Sequence, residues 1–234
     1  TMSEELKNGF ALIRPPGHHA EIGRGMGFCI FNNVAITAQY LRAVYGLSRI
    51  MIIDFDVHHG NGTQDVFYES NEVMFLSIHQ KGVFPFSGEA DEVGKEKGKG
   101  YTINVPVFSQ FGDAEYTFLM GRLLQNLVEQ YLPQIILVSA GYDGHMDDNI
   151  SATSLSTTWY GTVTSMLQQY ADEACDGKIL YILEGGYNPV TLEASVFASI
   201  DALLKPSRNK VGVMHSARAE KLLIDHPVRQ FWTI

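Results

Sequence analysis

Short apolar runs bounded by turn residues alternate with segments of helical periodicity along this chain of 234 residues. Such a pattern is typical of an α/β fold, in which helices cover both faces of a mainly parallel, doubly wound sheet. The runs predicted as strands are residues 10–13, 50–55, 73–78, 101–107, 135–140 and 179–183. We therefore expect a single domain over residues 1–234, without internal repeats or linkers.

The segments between these runs predict helices with recognisable ends. The first covers residues 32–45, and the second begins after Asp113 and is ended by Pro133. Ser156 or Thr157 can cap the third, and Pro189 can open the fourth, which ends near residue 204. Residues 80–100 are rich in glycine and charge and show no periodicity, which predicts a functional loop.

Composition places the chain among ordinary globular proteins, with 45% hydrophobic and 18% charged residues. The sequence lacks an uninterrupted apolar run of about 18 residues, so we expect no membrane partner. Residues 1–5 lack the basic and apolar parts of a signal peptide, and two cysteines are too few for a disulfide framework. We expect an intracellular protein, cytoplasmic or, if the source is eukaryotic, nuclear.

Charge excludes one class of partner. The chain has 17 basic and 26 acidic residues, for a net charge of -9 at pH 7. We therefore expect no direct binding to nucleic acid phosphates, although a basic partner is compatible with the charge.

Four of the eight histidines lie in two adjacent pairs, His18-His19 and His58-His59. A lone histidine is more often a structural residue than a functional one. Two adjacent pairs exceed what composition alone would give, and imidazole is both a common zinc ligand and a proton shuttle. The pairs therefore mark candidate chemistry.

Polar residues follow three of the predicted strands, where sites form in open α/β sheets. Alternation along an extended segment points Asp54, Asp56 and His58 to the same side. Together with Asp143, which follows the run 135–140, Asp56 and His58 would give zinc three protein ligands and leave a position open. Such an ion polarises a substrate carbonyl and activates water.

Two further groups would assist this chemistry. His18 or His19 can supply a base for the water. Tyr187 follows two glycines after the run 179–183 and can donate a hydrogen bond to a developing oxyanion, a contribution worth roughly 3 kcal/mol.

Five motifs resemble those of the zinc-dependent histone deacetylase family, closest to class II and the bacterial proteins similar to it. They are RPPGHHA at 14–20, GFCIFNN at 27–33, DFDVHHGNGTQ at 54–64, SAGYD at 139–143 and LEGGYN at 183–188. They occur in the order of the family, from about residue 8 to residue 204. The resemblance implies an arginase-like α/β fold and hydrolysis of an acetyl amide, typically on lysine.

The resemblance also implies a role for each matched residue. The zinc ligands are expected to be Asp56, His58 and Asp143. His19 matches the general base that later protonates the amine, His18 its electrostatic partner, and Asp54 the residue that orients His18. The supporting residue of His19 and the catalytic tyrosine correspond to Asn61 and Tyr187.

Substrate and potassium sites follow from the same resemblance. Gly27, Phe28 and Phe84 match the narrow apolar channel of the family, and Gly186, beside the tyrosine, is assigned to the same channel. The family also binds K⁺ through backbone carbonyls near the zinc, here those of Asp54, Asp56, His58, Ser77 and Ile78.

Several alternatives stay open at this point. The substrate is acetyl-lysine, in histones or other proteins, or an acetylated polyamine or similar amine. A second class of function is a weakly active acetyl-lysine-binding module or corepressor scaffold, which could belong to an oligomer or a corepressor assembly. The third, a two-metal hydrolase like arginase, ranks last because Val57 stands where another ligand is needed.

One departure from the family concerns the start of the chain. Family catalytic domains carry a substantial segment ahead of the RPPGHHA motif, whereas this sequence begins almost at the motif. We expect that this segment either lies outside the given sequence or has been lost.

Overall fold

A computed structural model of the protein describes residues 6–207 and 209–234, so residues 1–5, on which the signal-peptide argument was based, lie outside it. Its six strands form one sheet in the order β1-β6-β5-β2-β3-β4, and all neighbouring pairs are parallel. The strands are β1 (Asn8–Ala11), β2 (Ile50–Asp54), β3 (Val73–Gln80), β4 (Thr102–Val107), β5 (Ile135–Ala140) and β6 (Ile179–Leu183).

In the described residues, six α-helices connect and cover these strands. They are α1 (Asn33–Tyr45), α2 (Asn61–Phe67), α3 (Asp113–Tyr131), α4 (Thr157–Cys175), α5 (Pro189–Leu204) and α6 (Ala217–Ile224). The third predicted helix has Ser156 as its N-cap, and Pro189 opens the fourth, as expected. Within the described residues, none of the helices combines the length and the low polarity needed to cross a bilayer.

The two faces of the sheet are covered by different helices. Ile50 and Ile52 of β2 pack with buried residues of α1, whereas Met51 and Ile53 point to the other face and pack with α3 and α4. Both faces of the central strands are therefore buried, which explains why β2 is continuously apolar up to Asp54. The prediction of a doubly wound, parallel sheet is confirmed.

The strand order creates a switch point between β2 and β5. From β2 the chain continues to β3 on one side, and from β5 it continues to β6 on the other. These two strands pair directly, with Asp54 opposite Ser139. Connections that leave adjacent strands in opposite directions open a crevice at their carboxyl ends, which is where ligands bind in such sheets.

Some predicted boundaries were wrong because pairing partners, not local hydrophobicity, determine where strands end. The first strand covers Asn8–Ala11 instead of 10–13, since its register begins with Asn8 opposite Ile179. At the other side of the sheet, β3 extends to Gln80, which pairs with Val107 of β4.

The loop 80–100 follows a defined path over the carboxyl edge of the sheet. Its backbone is joined to the end of α2 by a hydrogen bond from the Lys95 amide to the Tyr68 carbonyl, at 2.8 Å. A short 3-10 helix, Glu96–Gly98, follows. The first part of the loop carries Phe84 to the crevice described below.

Candidate functional site

Asp56, His58 and Asp143 meet at the switch point. Each offers one ligand atom, and these atoms lie within 4.8 Å of one another. His58 Nδ1 lies 3.2 Å from Asp56 Oδ1 and 3.0 Å from Asp143 Oδ2. Both carboxylates are buried. Over residues 6–207 and 209–234, no second cluster of three or more His, Cys, Asp or Glu ligand atoms is found.

The surroundings of this cluster fit a small divalent cation. The Gly185 amide donates to Asp56 Oδ2 at 2.9 Å, and the Val57 amide donates to Asp143 Oδ1 at 3.1 Å, so both carboxylates are held in place. A Cβ at Gly141 would overlap the Asp56 side chain, and a Cβ at Gly185 would overlap the side chains of both Asp143 and Asp56. Two carboxylates and one imidazole suit zinc and leave coordination positions free for a substrate.

The electrostatics of the cluster favour a positive charge at its centre. Burial lowers the pKa of His58, but hydrogen bonds and charges of Asp143 and Asp56 outweigh it and raise the pKa to about 10. Burial and the neighbouring Asp56 raise the pKa of Asp143 to about 6. The pair of carboxylates therefore attracts either a proton on His58 or a cation in its place.

The first histidine pair lies beside this cluster, with its ring centroids 4.0 Å apart. His18 Nδ1 is 2.9 Å from Asp54 Oδ2, and His19 Nδ1 is 2.9 Å from Asn61 Oδ1. The structure thus brings together the two histidines and the residues predicted to orient them.

The two neighbouring imidazoles differ in charge. Burial lowers the pKa of His18, but the carboxylates of Asp54, Asp56 and Glu184 outweigh it and raise this pKa well above its ordinary value. Burial, followed by the positive charge of His18, lowers the pKa of His19 to about 3. One member of the pair is a cation and the other a neutral base, a division typical of paired catalytic groups.

Glu184 anchors the loop that carries these histidines, and sequence reasoning did not identify it. Its Oε2 accepts hydrogen bonds from the backbone amides of Gly17 and His18, at 2.6 and 3.0 Å, and Ser139 Oγ donates to its Oε1 at 3.1 Å. Glu184 lies in the LEGGYN motif, which was the available signal, but only the tyrosine and a glycine of that motif were assigned a function.

The start of α2 packs against the same loop. The Thr63 amide donates to the His18 carbonyl at 3.1 Å. Asn32 Nδ2 donates to the Ala20 carbonyl at 3.2 Å, while its Oδ1 caps α1. Gly60, just before α2, has no room for a Cβ because Asp54 Oδ2 occupies that space. The histidine loop is therefore held by α1, α2 and β6 together.

His59 does not join the cluster, although it is adjacent to His58. Its Nδ1 lies 2.8 Å from Ser87 Oγ, and its Nε2 lies 3.0 Å from Gln64 Oε1. Burial lowers its pKa to about 3, so the ring is neutral. His59 thus connects α2 with the loop 80–100, whereas His58 belongs to the cluster with Asp56 and Asp143.

A cavity of about 440 Å³ opens above the cluster. Its lining is mainly apolar and aromatic and consists of His19, Gly27, Phe28, His58, Phe84, Ile150 and Tyr187. The Phe84 ring lies edge-on to His19, with the centroids 5.0 Å apart, and Phe28 lies 5.8 Å from Tyr187. An elongated aliphatic chain fits such a lining. Ile150 was missed because it follows a polar loop without any pattern.

Gly186, which the sequence assigns to the channel, is not among the residues that line this cavity. Its carbonyl accepts a hydrogen bond from Arg14 Nη2 at 3.1 Å, and a side chain at this position would meet Leu192 and Tyr142 instead. Gly186 shapes the turn before Tyr187 rather than the wall of the cavity.

Hydrogen bonds from the backbone to Asp148 hold Tyr187 in position. Asp148 Oδ2 accepts from the amides of Tyr187 and Asn188, at 2.7 and 3.0 Å. Burial raises the pKa of the Tyr187 phenol above its ordinary value, so the hydroxyl keeps its proton and remains a donor. Asp148 was not identified from the sequence, since acidic residues in loops are common.

Ser77 and Ile78, predicted to hold potassium, lie fully buried on β3. Ser77 is the register partner of Asp54, and its Oγ lies 2.8 Å from His79 Nδ1. Both residues are therefore close in the sheet to the segment that carries the cluster.

Comparison with known proteins gives consistent matches. The family model described as "Histone deacetylase domain" matches residues 1–203. The curated "Histone deacetylase 14, chloroplastic" of Arabidopsis thaliana is 46% identical over 196 residues, which cover 84% of this chain and 46% of that protein. The "Probable deacetylase" of Archaeoglobus fulgidus is 41% identical over 187 residues, covering 80% and 52% respectively.

A solved structure extends the similarity to three dimensions. The crystal structure of the HDA15 HD domain is 37% identical in sequence and matches with a TM-score of 0.89, covering 97% of this chain and 63% of that chain. The chain spans about half the length of the curated relatives it matches.

Proposed function

The chain belongs to the histone deacetylase family, and from this membership we propose that it is a zinc-dependent deacetylase acting on acetyl-lysine in histones or other proteins. One observation carries the proposal: the Asp56, His58 and Asp143 cluster lies beneath an apolar cavity that His19 also lines. Zinc held by these three residues would supply a Lewis acid for the acetyl carbonyl and the attacking water.

The cavity supports a substrate with a neutral, extended end. Phe28 and Phe84 provide aromatic surface along a cavity of about 440 Å³. An acetylated amine carries no charge and enters such a lining at little cost, whereas an ammonium group would lose its hydration. This favours the acetylated form of a lysine side chain over the free amine.

The surrounding residues can divide the proton transfers between them. His19, neutral beside the cationic His18, would take a proton from water and return it to the leaving amine. His18, paired with Asp54, would stabilise the negative charge that develops near the cluster. Tyr187 would donate a hydrogen bond to the acetyl oxygen as that charge grows.

The experiment that tests this proposal compares rates in zinc-loaded protein. Release of acetate from an acetyl-lysine peptide is measured for the parent, Tyr187→Phe and His19→Ala. We expect kcat to fall by about 10² to 10³ for Tyr187→Phe and by about 10² to 10⁴ for His19→Ala. Tyr40→Phe, on the exposed face of α1, serves as the matched control and should keep the parent rate.

Two outcomes would contradict the proposal. Equally slow rates in all four proteins would favour a module that binds acetyl-lysine without turnover. Turnover of N-acetylputrescine with an inert peptide would instead assign the site to acetylated polyamines.

The proposal also includes a potassium ion, a larger assembly and an intracellular location. A potassium ion near Asp54, Ser77 and Ile78 predicts higher activity in KCl than in NaCl. An intracellular location, in the cytoplasm or the nucleus, and an oligomer or corepressor assembly stay predictions.

A further inference from the structure

Asn61 lies between His19 and a residue that the mechanism above does not use, Glu21. Asn61 Oδ1 is 2.9 Å from His19 Nδ1, and Asn61 Nδ2 is 3.0 Å from Glu21 Oε1. A carboxamide has an accepting end and a donating end of nearly equal size. Asn61 alone could therefore present either end to the imidazole.

Glu21 removes this ambiguity. An ionised carboxylate only accepts hydrogen bonds, so the amide nitrogen of Asn61 must face Glu21 and its oxygen must face His19. The opposite orientation would direct the Asn61 oxygen at a carboxylate oxygen, without a proton between them. The Asn61 orientation is thus determined by charge at the neighbouring residue.

Glu21 is itself held in place. Its backbone pairs with Arg24 through hydrogen bonds of 3.0 and 3.3 Å, and its Oε2 lies 3.3 Å from Arg24 Nε. One carboxylate oxygen is therefore directed to Arg24 and the other to Asn61.

We propose that Glu21 is a positioning residue that sets the tautomer of His19 through Asn61, an inference that rests on the proposed function. With the Asn61 oxygen facing it, Nδ1 of neutral His19 must carry the ring proton. Nε2 is then the nitrogen with a free electron pair, and no residue in the described part of the chain hydrogen-bonds to it. With Asn61 reversed, the proton would move to Nε2, and His19 could not accept a proton from water there.

The first test replaces Glu21 by leucine. Glu21→Leu should lower kcat roughly tenfold with KM little changed, a loss comparable to one charged hydrogen bond. The ¹⁵N shifts of His19 in the zinc-loaded, ¹⁵N-histidine-labelled protein should change from the Nδ1–H form to a mixture of both tautomers. Arg24→Leu removes the Glu21–Arg24 ion pair but keeps the backbone hydrogen bonds between residues 21 and 24 and the Asn61 contact, so it should leave both measurements near the parent values.

The second test replaces the neutral carboxamide of Asn61 by a charged carboxylate. A carboxylate in place of the Asn61 carboxamide can only accept, so Glu21→Leu/Asn61→Asp should restore the Nδ1–H tautomer and return kcat to within about threefold of the parent. Asn61→Asp alone would place two carboxylates about 3 Å apart, at the distance of the present contact, and should be less active than the double variant. Removing Glu21 is therefore expected to lower kcat when Asn61 is present and to raise it in the Asn61→Asp background.

These measurements separate the inference from the proposed function. A parent protein that does not hydrolyse acetyl-lysine would refute the function, while the tautomer of His19 would still be readable from its ¹⁵N shifts. An active parent whose kcat and ¹⁵N shifts are unchanged in Glu21→Leu would overturn the role of Glu21. A loss in Glu21→Leu that Asn61→Asp does not rescue would overturn it too, since it would indicate a merely structural residue.

Discussion

Replacing Gly60 by alanine tests how tightly the start of α2 holds the charged part of the site. Gly60 has a negative φ of -76°, so an alanine there introduces no backbone strain and the added methyl group acts by its volume alone. That methyl group would overlap Asp54 Oδ2 and lie 3.2 Å from His18 Nδ1 and 3.3 Å from Phe75 Cζ. All of its neighbours are therefore buried groups of the site or the core.

The magnitude follows from the contact that must break. Asp54 Oδ2 would have to move by about 1 Å to reach ordinary contact, which breaks its 2.9 Å bond with His18 Nδ1. If the start of α2 moves instead, the bond from the Thr63 amide to the His18 carbonyl is lost. A hydrogen bond to a charged group contributes about 1.5–3 kcal/mol, and we expect the free energy of unfolding to fall by that amount.

The assay combines urea denaturation of the zinc-free protein with steady-state deacetylation of the zinc-loaded protein. For a chain of this length the loss corresponds to about 3–12 °C in Tm. We expect kcat to fall about 10- to 100-fold while zinc binding stays stoichiometric, because Asp54 and His18 do not belong to the Asp56, His58 and Asp143 cluster. Gly212→Ala is the control, since a methyl group there has no neighbour within 4 Å. The reasoning is refuted if Gly60→Ala matches Gly212→Ala in both denaturation midpoint and kcat.

Three further predictions concern separate parts of the molecule. Tyr131→Phe removes hydrogen bonds from the phenol to the carbonyls of Ile50 and Glu72, at 3.2 and 2.9 Å, and should lower the free energy of unfolding by about 1–2 kcal/mol without changing kcat. Urea denaturation checks this, and an unchanged midpoint would contradict it. Zinc at a hundred times its Kd should stabilise the parent by about 2.7 kcal/mol in calorimetry. Asp143→Ala should lose most of this gain, and an equal gain in both proteins would place the metal elsewhere. Phe28 lines the cavity, so Phe28→Ala should raise KM for an acetyl-lysine peptide about 3- to 10-fold. Because Phe28 is 74% exposed, the Tm should not change. An unaltered KM would remove Phe28 from the substrate path.

The elements that sequence reasoning found have strong local signals. The strands β5 and β6 were predicted with their observed ends, because each is a short apolar run followed by glycine and polar residues. In contrast, α2 was missed because a helix of seven residues with few apolar positions has no periodicity to detect. It forms where its first turn contacts the histidine loop, which is a tertiary contact that no local pattern encodes.

The candidate site shows the same division. Asp56, His58 and Asp143 could be grouped from the sequence because they follow strands that meet at one edge of the sheet. Glu184 and Glu21 were not assigned, since their importance lies in hydrogen bonds to distant segments of the chain. Nothing in the residues around Glu21 distinguishes it from a solvated surface acid.

The cluster and the cavity mouth have different structural origins. The three candidate ligands follow the central strands β2 and β5, whereas Phe28, Phe84 and Ile150 come from connecting loops. Substitutions in these loops could therefore change the selectivity of the enzyme while the three candidate ligands stay in place after the strand ends. Directed evolution of new acyl preferences should therefore begin at the loops and leave the strand ends alone.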